Sequence, residues 1–254
     1  MNYKLTIGWL YPELMSTYGD RGNIIVLKKR CEWRGINVQV KHLNVGFDKK
    51  LLAACDMLFM GGAQDQQQKI VAVDLKKKAN VLQEMIENGI PGLYICGAYQ
   101  FLGKYYKEAD GTIIKGLGIL DVYTENPGIN TKRLIGNIAV KSEIGTLIGF
   151  ENHGGRTHLG AAVKPLGKVI KGFGNNGEDK TEGAIYKNSF GTYLHGPILP
   201  KNPHLADYLI KLALEKKYLP CLPRQARRVN LSPLDDSLEI KARNAIAKRL
   251  NIKI

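Results

Sequence analysis

No apolar run in the sequence approaches the roughly 20 residues that cross a bilayer, and Met1-Asn-Tyr-Lys-Leu5 leads straight into strand-like residues without a signal-peptide layout. A cytoplasmic protein with no transmembrane segment is therefore expected. Cysteine is sparse: Cys31, Cys55, Cys96 and Cys221 stand far apart, with no CxxC and no Cys/His ligand pair. That spacing indicates neither a disulfide framework nor a metal site. Internal repeats, low-complexity tracts and a P-loop are all missing, so the chain carries no recognisable ATP site. Acidic residues are few relative to basic ones, 23 against 37, which leaves a net charge of +14. The lysines fall in short runs, such as Lys76-Lys77-Lys78 and Lys216-Lys217, without interleaved aromatics. No nucleic-acid motif accompanies them, and solvated faces, or an anionic protein partner or membrane-bound substrate, account for them better.

What is present is a chain of 254 residues, 44% hydrophobic, enough for one sizeable core. Apolar strands are expected at Leu5–Leu10, Val38–Leu43, Met57–Met60 and Leu93–Ile95, alternating with helices over Ile24–Arg34, Asp48–Ala54 and Gln66–Glu87. Continuous apolar strands alternating with helices predict a mainly parallel sheet covered on both faces, with ligands beyond the carboxyl ends of the strands. On that rim falls Cys96, between a short strand and a helix-like segment starting at Gly97. A thiol at such a nucleophile elbow is placed to attack carbonyls. A lone cysteine is more often buried and inert, but the flanking Gly97, Gln100 and Gly103 favour the reactive reading. Gly61-Gly62 ends the preceding strand and could turn backbone amides toward an oxyanion.

Beyond the elbow the pattern changes to short β-like runs: Ile113–Leu120, Ile135–Val140, Leu147–Glu151, Leu166–Ile170, Gly183–Tyr186 and Ser189–Leu194. These predict a mixed or antiparallel extension. His195 ends the last of them and is the best general-base candidate for Cys96. His153 and His158 compete with it from the polar, glycine-rich stretch Gly149-Phe-Glu-Asn-His-Gly-Gly-Arg-Thr157, which reads as a loop shaping a pocket or contacting a partner. An amphipathic helix over Pro203–Lys217, a break at Pro220–Arg228 and a helix over Leu234–Leu250 complete the chain. Residues 1–217 form the expected main domain, and 218–254 a helical tail too short for its own core.

Tyr18-Gly-Asp-Arg-Gly-Asn23, Gly61-Gly-Ala-Gln-Asp65, Cys96-Gly-Ala-Tyr-Gln100, the Gly149–Thr157 stretch and Tyr193-Leu-His-Gly196 together resemble the class I glutamine amidotransferases, in the branch found in cobyric acid synthase and related amidases. The resemblance spans Trp9 to about Leu209. It implies a flavodoxin-like amidotransferase fold in which Cys96 attacks the side-chain amide of L-glutamine, His195 gives acid–base help, and the amides of Gly62 and Gly97 hold the oxyanion. Gln100 and Arg133 are assigned to gripping glutamine, Arg133 through its α-carboxylate. No cofactor is expected on this chain.

Free ammonia needs a consumer, and the resemblance implies a Mur-ligase-like synthetase subunit carrying ATP and Mg²⁺. That partner would amidate the D-glutamate α-carboxylate of lipid II to D-isoglutamine, keeping the pair at the inner membrane face. A cobyrinic-acid-type acceptor, or a basic binding module that has lost activity, are the alternatives. Two departures from the family pattern carry expectations. Tyr94 and Ala98 replace small residues at the elbow, so a less strained turn is expected. Pro197 stands where many members have an acid, so the third catalytic group is expected from the synthetase, with Glu151 or an unaided Cys–His dyad as alternatives.

Overall fold

The computed structural model describes residues 2–221 and 229–254; the expected break at Pro220–Arg228 falls largely outside them. The first half alternates as the apolar pattern predicts. β1 (Lys4–Leu10), α1 (Arg21–Glu32), β2 (Asn37–Leu43), α2 (Lys49–Ala53) and β3 (Met57–Met60) lead to α3 (Asp65–Lys76), α4 (Ala79–Glu87), β4 (Gly92–Ile95) and α5 (Gly97–Leu102). Short strands follow: β5 (Tyr105–Lys107), β6 (Ile113–Lys115), β7 (Val122–Glu125), β8 (Leu134–Ser142), β9 (Gly145–His153), β10 (Arg156–Leu159), β11 (Gly167–Lys171), β12 (Thr181–Glu182), β13 (Ala184–Tyr186) and β14 (Ser189–Thr192). The helices α6 (Pro203–Tyr218) and α7 (Ser237–Leu250) close the chain.

The central sheet runs β13-β14-β4-β3-β1-β2. Its pairs are parallel except β13 with β14. Successive strand side chains point to opposite faces, so the apolar strands feed two cores. Ile7, Trp9, Phe59 and Leu93 pack with α1 and α6 residues such as Leu27 and Leu209. Leu10, Leu58, Met60 and Tyr94 pack on the other face with Leu82, Ile86 and Phe101. Two smaller sheets, β10-β7-β5-β6 and β12-β11-β8-β9, form the mixed and antiparallel extension.

Several expected boundaries shift, each for a local reason. The helix expected over Gln66–Glu87 is broken at Lys77-Lys78. There the Lys78 side chain turns inward to meet Asp74 Oδ1 at 2.5 Å and the Phe47 ring at 4.6 Å. The strand expected over Ile113–Leu120 ends at Lys115, and the chain then passes so close to the Gly103 carbonyl that a Cβ on Gly116 would sit 2.1 Å from it. The stretch expected as a polar loop at Gly149–Thr157 is mostly strand: His153 is the last residue of β9, and Arg156 opens β10.

The C-terminal helix is held by charge. Arg30 on α1, 1% exposed, donates from Nε to Asp207 Oδ1 at 2.6 Å and from Nη1 to Asp236 Oδ1 at 2.6 Å, just ahead of α7. Arg34 adds a second fork onto Asp207 and a bond to the Ser232 carbonyl.

Candidate active site

The carboxyl ends of β3, β4 and β14 lie side by side, which brings Gly61-Gly62, Cys96 and His195 to one rim. Cys96 adopts φ 53° and ψ −106° between β4 and α5, a left-handed φ that L-residues rarely hold and that functional sites retain. The elbow is therefore strained, contrary to the expectation drawn from Tyr94 and Ala98. Tyr94 is accommodated at Gly92, where a Cβ would stand 2.5 Å from the phenol oxygen. Ala98 is fully buried under the turn. Gly97 gives its neighbour close access, since a Cβ there would meet Gln68 Nε2 at 2.9 Å and push that side chain aside. By contrast Cys31 and Cys55 are buried, and desolvation pushes their thiols up to about 12 and about 11.

His195 follows β14 and is fastened to β9 by backbone bonds with Phe150 in both directions, 2.6 and 3.2 Å. Its ring lies against Gly62, where a Cβ would be 3.3 Å from both His195 Cε1 and Cys96 Cβ. Burial alone would lower its pKa, but its interactions with Cys96 and the carboxylate of Asp20 outweigh that and push it up to about 10. Asp20 is the acid that sequence reasoning did not single out. Fully buried, it stands with Oδ1 3.9 Å from His195 Nδ1. Glu151, named as an internal alternative, is committed elsewhere, accepting the amides of Phe173 and Gly174.

Pro197 has its own explanation. Its ring packs into the space that a Cβ on Gly22 would occupy, 2.4 Å away. Nearby, Asn23 Oδ1 accepts the Leu199 amide at 2.9 Å. The Tyr18–Asn23 and His195–Pro197 segments thus fit together, and the fit delivers Asp20 to the imidazole. The remaining Asp20 oxygen, Oδ2, accepts the Gly62 N–H at 2.7 Å. The Gly62 amide, expected to hold the oxyanion, is thus bonded to Asp20 in this structure. The next amide, Ala63 N, lies 3.6 Å from the position of a Cβ on Gly97, beside the Gly97 amide at the unpaired first turn of α5. Gln68 Nε2 donates to the Ala63 carbonyl at 2.9 Å and fixes this turn.

A cavity of about 570 Å³ opens onto Cys96 and is lined also by Gln68, Gln100, Arg133, Asn152 and His153. A larger groove of about 1160 Å³ beside α6 touches neither Cys96 nor His195, so the chemistry locates the site in the smaller one. Gln100 is 4% exposed and is oriented by a chain of buried bonds. Its Nε2 donates to Tyr193 Oη (3.0 Å), Tyr193 bonds Thr157 (2.6 Å), and Thr157 bonds Thr124 (2.7 Å). Arg133 donates from Nε and Nη2 to the side chain and carbonyl of Asn152 at 2.9 and 3.0 Å, which steadies its guanidinium at the cavity wall. His158 belongs elsewhere, stacking on Tyr123.

A cysteine at a strained elbow, a buried histidine just beyond the adjacent parallel strand, and a polar cavity beside them have the layout of an amidotransferase-type thiol site. Residues 6–203 match the CobB/CobQ-like glutamine amidotransferase domain, and the chain belongs to that family. It is 45% identical over 254 residues to the lipid II isoglutaminyl synthase (glutamine-hydrolyzing) subunit GatD of Staphylococcus aureus, covering 98% of this chain and 97% of that one. To the subunit of the same name from Streptococcus pneumoniae it is 47% identical over 220 residues, 85% of this chain and 83% of the other. Among solved structures it resembles a crystal structure of a glutamine amidotransferase, with TM-score 0.57 and 16% identity, covering 82% of this chain and 98% of that one.

Proposed function

We propose that this chain is the glutaminase subunit of a two-component ligase, hydrolysing L-glutamine and passing the ammonia to an ATP-dependent, Mur-ligase-like synthetase. The synthetase would use ATP and Mg²⁺ to activate the D-glutamate α-carboxylate of lipid II and yield D-isoglutamine. The match in name and near full length to two GatD subunits supports the acceptor. The observation that carries the chemistry is the strained Cys96 beside a charged, Asp20-backed His195.

In this reading the Cys96 sulfur adds to the glutamine Cδ, and the carbonyl oxygen takes the negative charge toward the amides of Gly97 and Ala63. His195, holding a proton, gives it to the amide nitrogen as the C–N bond breaks and ammonia leaves. The now neutral imidazole then takes a proton from water, which attacks the thioester and releases glutamate and the thiol. Asp20 acts as a positioning residue, holding the ring and stabilising its charged form. Gln100 and Arg133 grip the substrate, Arg133 at the α-carboxylate. No helix among the described residues is long and apolar enough to cross a membrane, so the chain would reach its lipid-linked acceptor through the synthetase, on the cytoplasmic face.

The decisive test is covalent labelling with a glutamine-like electrophile. Label on Cys96, and loss of glutamine hydrolysis in Cys96→Ser with the fold intact, are the expected results. Label on Cys31 or Cys55 would refute the mechanism.

A further inference from the structure

His153 has no part in the mechanism above, yet it is 1% exposed and lines the same cavity as Cys96. Its ring lies flat on Tyr193, centroids 3.7 Å apart and planes 7° from parallel. Nδ1 is 2.8 Å from the Gly155 carbonyl. A carbonyl only accepts, so Nδ1 must carry the proton, and a neutral ring then presents a lone pair at Nε2. That Nε2 is buried without a protein partner. A buried acceptor left unmade is costly, and one that lines a substrate cavity is explained by a ligand donor.

We propose that His153 is a specificity-determining residue that accepts, at Nε2, a hydrogen bond from a carboxamide N–H of the substrate. The inference rests on glutamine as substrate. Glutamine brings two kinds of N–H, the side-chain carboxamide and the α-ammonium, and charge decides between them. Burial above all pushes its pKa down to about 3, and the neighbouring His195, Arg156 and Arg133 add repulsion against positive charge at this ring. An ammonium would meet the same repulsion, whereas a neutral amide would not. The lone pair also works against the product: glutamate offers its side-chain carboxylate oxygens, acceptors facing an acceptor. His153 thereby favours the amide over the acid, and the neutral ring, a poor proton donor, leaves released ammonia unprotonated and nucleophilic.

The test compares kcat/KM for glutamine, for γ-glutamyl methyl ester, which forms the same thioester without an amide N–H, and for glutaramate, which lacks the α-ammonium. His153→Phe keeps the stack on Tyr193 and removes the lone pair. The glutamine-to-ester ratio should fall about tenfold, the worth of one hydrogen bond of roughly 1.4 kcal/mol, while the glutamine-to-glutaramate ratio holds. His153→Gln, which can place an acceptor near the Nε2 position, should restore part of the ratio. A uniform loss on all three substrates would mean a structural role and overturn the proposal. A collapse of the glutaramate ratio alone would assign the ring to the ammonium and overturn it equally. Should His153→Phe fail to fold, ¹⁵N NMR of Cys96→Ala protein decides. The His153 Nε2 resonance should move on adding glutamine and stay put on adding the ester. If wild-type protein with its synthetase hydrolyses no glutamine, the substrate reading fails first and this inference with it.

Discussion

Asp20 serves two groups at once, the imidazole with one oxygen and the Gly62 amide with the other. Asp20→Asn should lower kcat on the order of 10²-fold, less than the loss of a directly bonded triad acid, because the contact is 3.9 Å. Without the carboxylate the charged imidazole loses support, so the alkaline limb of kcat/KM, set near 10 by His195, should move to lower pH. A pH–rate profile checks both, and an unmoved limb would remove Asp20 from the mechanism. Arg133→Ala should raise KM for glutamine while ammonia-dependent amidation by the complex survives, and Lys should restore only part of the loss because it lacks the paired donors. At this scale the sequence reveals Cys96 and His195 through position, each at a strand end before a glycine. Asp20 was legible only as part of a motif, since nothing local marks a residue whose partner lies across the fold. The engagement of the Gly62 amide was not legible either: a Gly-Gly turn shows that backbone can approach a ligand, not which amide faces it.

The elements were readable where periodicity is strong. β1, β3, β4 and α6 follow from apolar runs, whereas β5, β7 and β10 are short and partly polar and were missed. The α3–α4 break was hidden because Lys78 looks like a surface lysine and is in fact buried against Asp74. Element stability offers two tests. Arg30→Ala would leave Asp207 and Asp236 facing each other without their shared cation. Both carboxylates are about a quarter exposed and Arg34 still holds Asp207, so the cost should fall below the roughly 3–5 kcal/mol of breaking a fully buried pair, to be read by chemical denaturation, with faster hydrogen exchange in α7. Glu182 accepts from Thr192 Oγ1 and the Tyr193 amide just before His195, and burial raises its pKa to about 7. The folded chain therefore keeps a proton that the unfolded chain loses above its ordinary carboxylate value. The stability tied to this proton is full below about 4.5 and is lost as pH rises to about 7. Glu182→Gln should flatten that part of the Tm-versus-pH curve relative to wild type.

For the molecule as a whole, an acid of its own beside His195 bears on the partner question. The sequence-based expectation that the synthetase lends the third group predicts an isolated chain of low activity that rises strongly when the partner is added. With Asp20 in place, purified chain alone should show measurable, Cys96-dependent glutaminase activity that the synthetase increases. Inactivity of the isolated chain, with recovery that depends on a synthetase acid, would return that role to the partner. The way in which a partner could raise activity is narrowed by the hydrogen bonds between Phe150 and His195. They weld the base to β9, the strand that also carries Asn152, the support of Arg133, and His153. The backbone of His195 and the residues proposed to hold glutamine are thus tied to one strand. The 61–64 turn and the loop bearing Asp20 hold the imidazole from its other side, and hydrogen exchange on binding is expected to change there more than in β9.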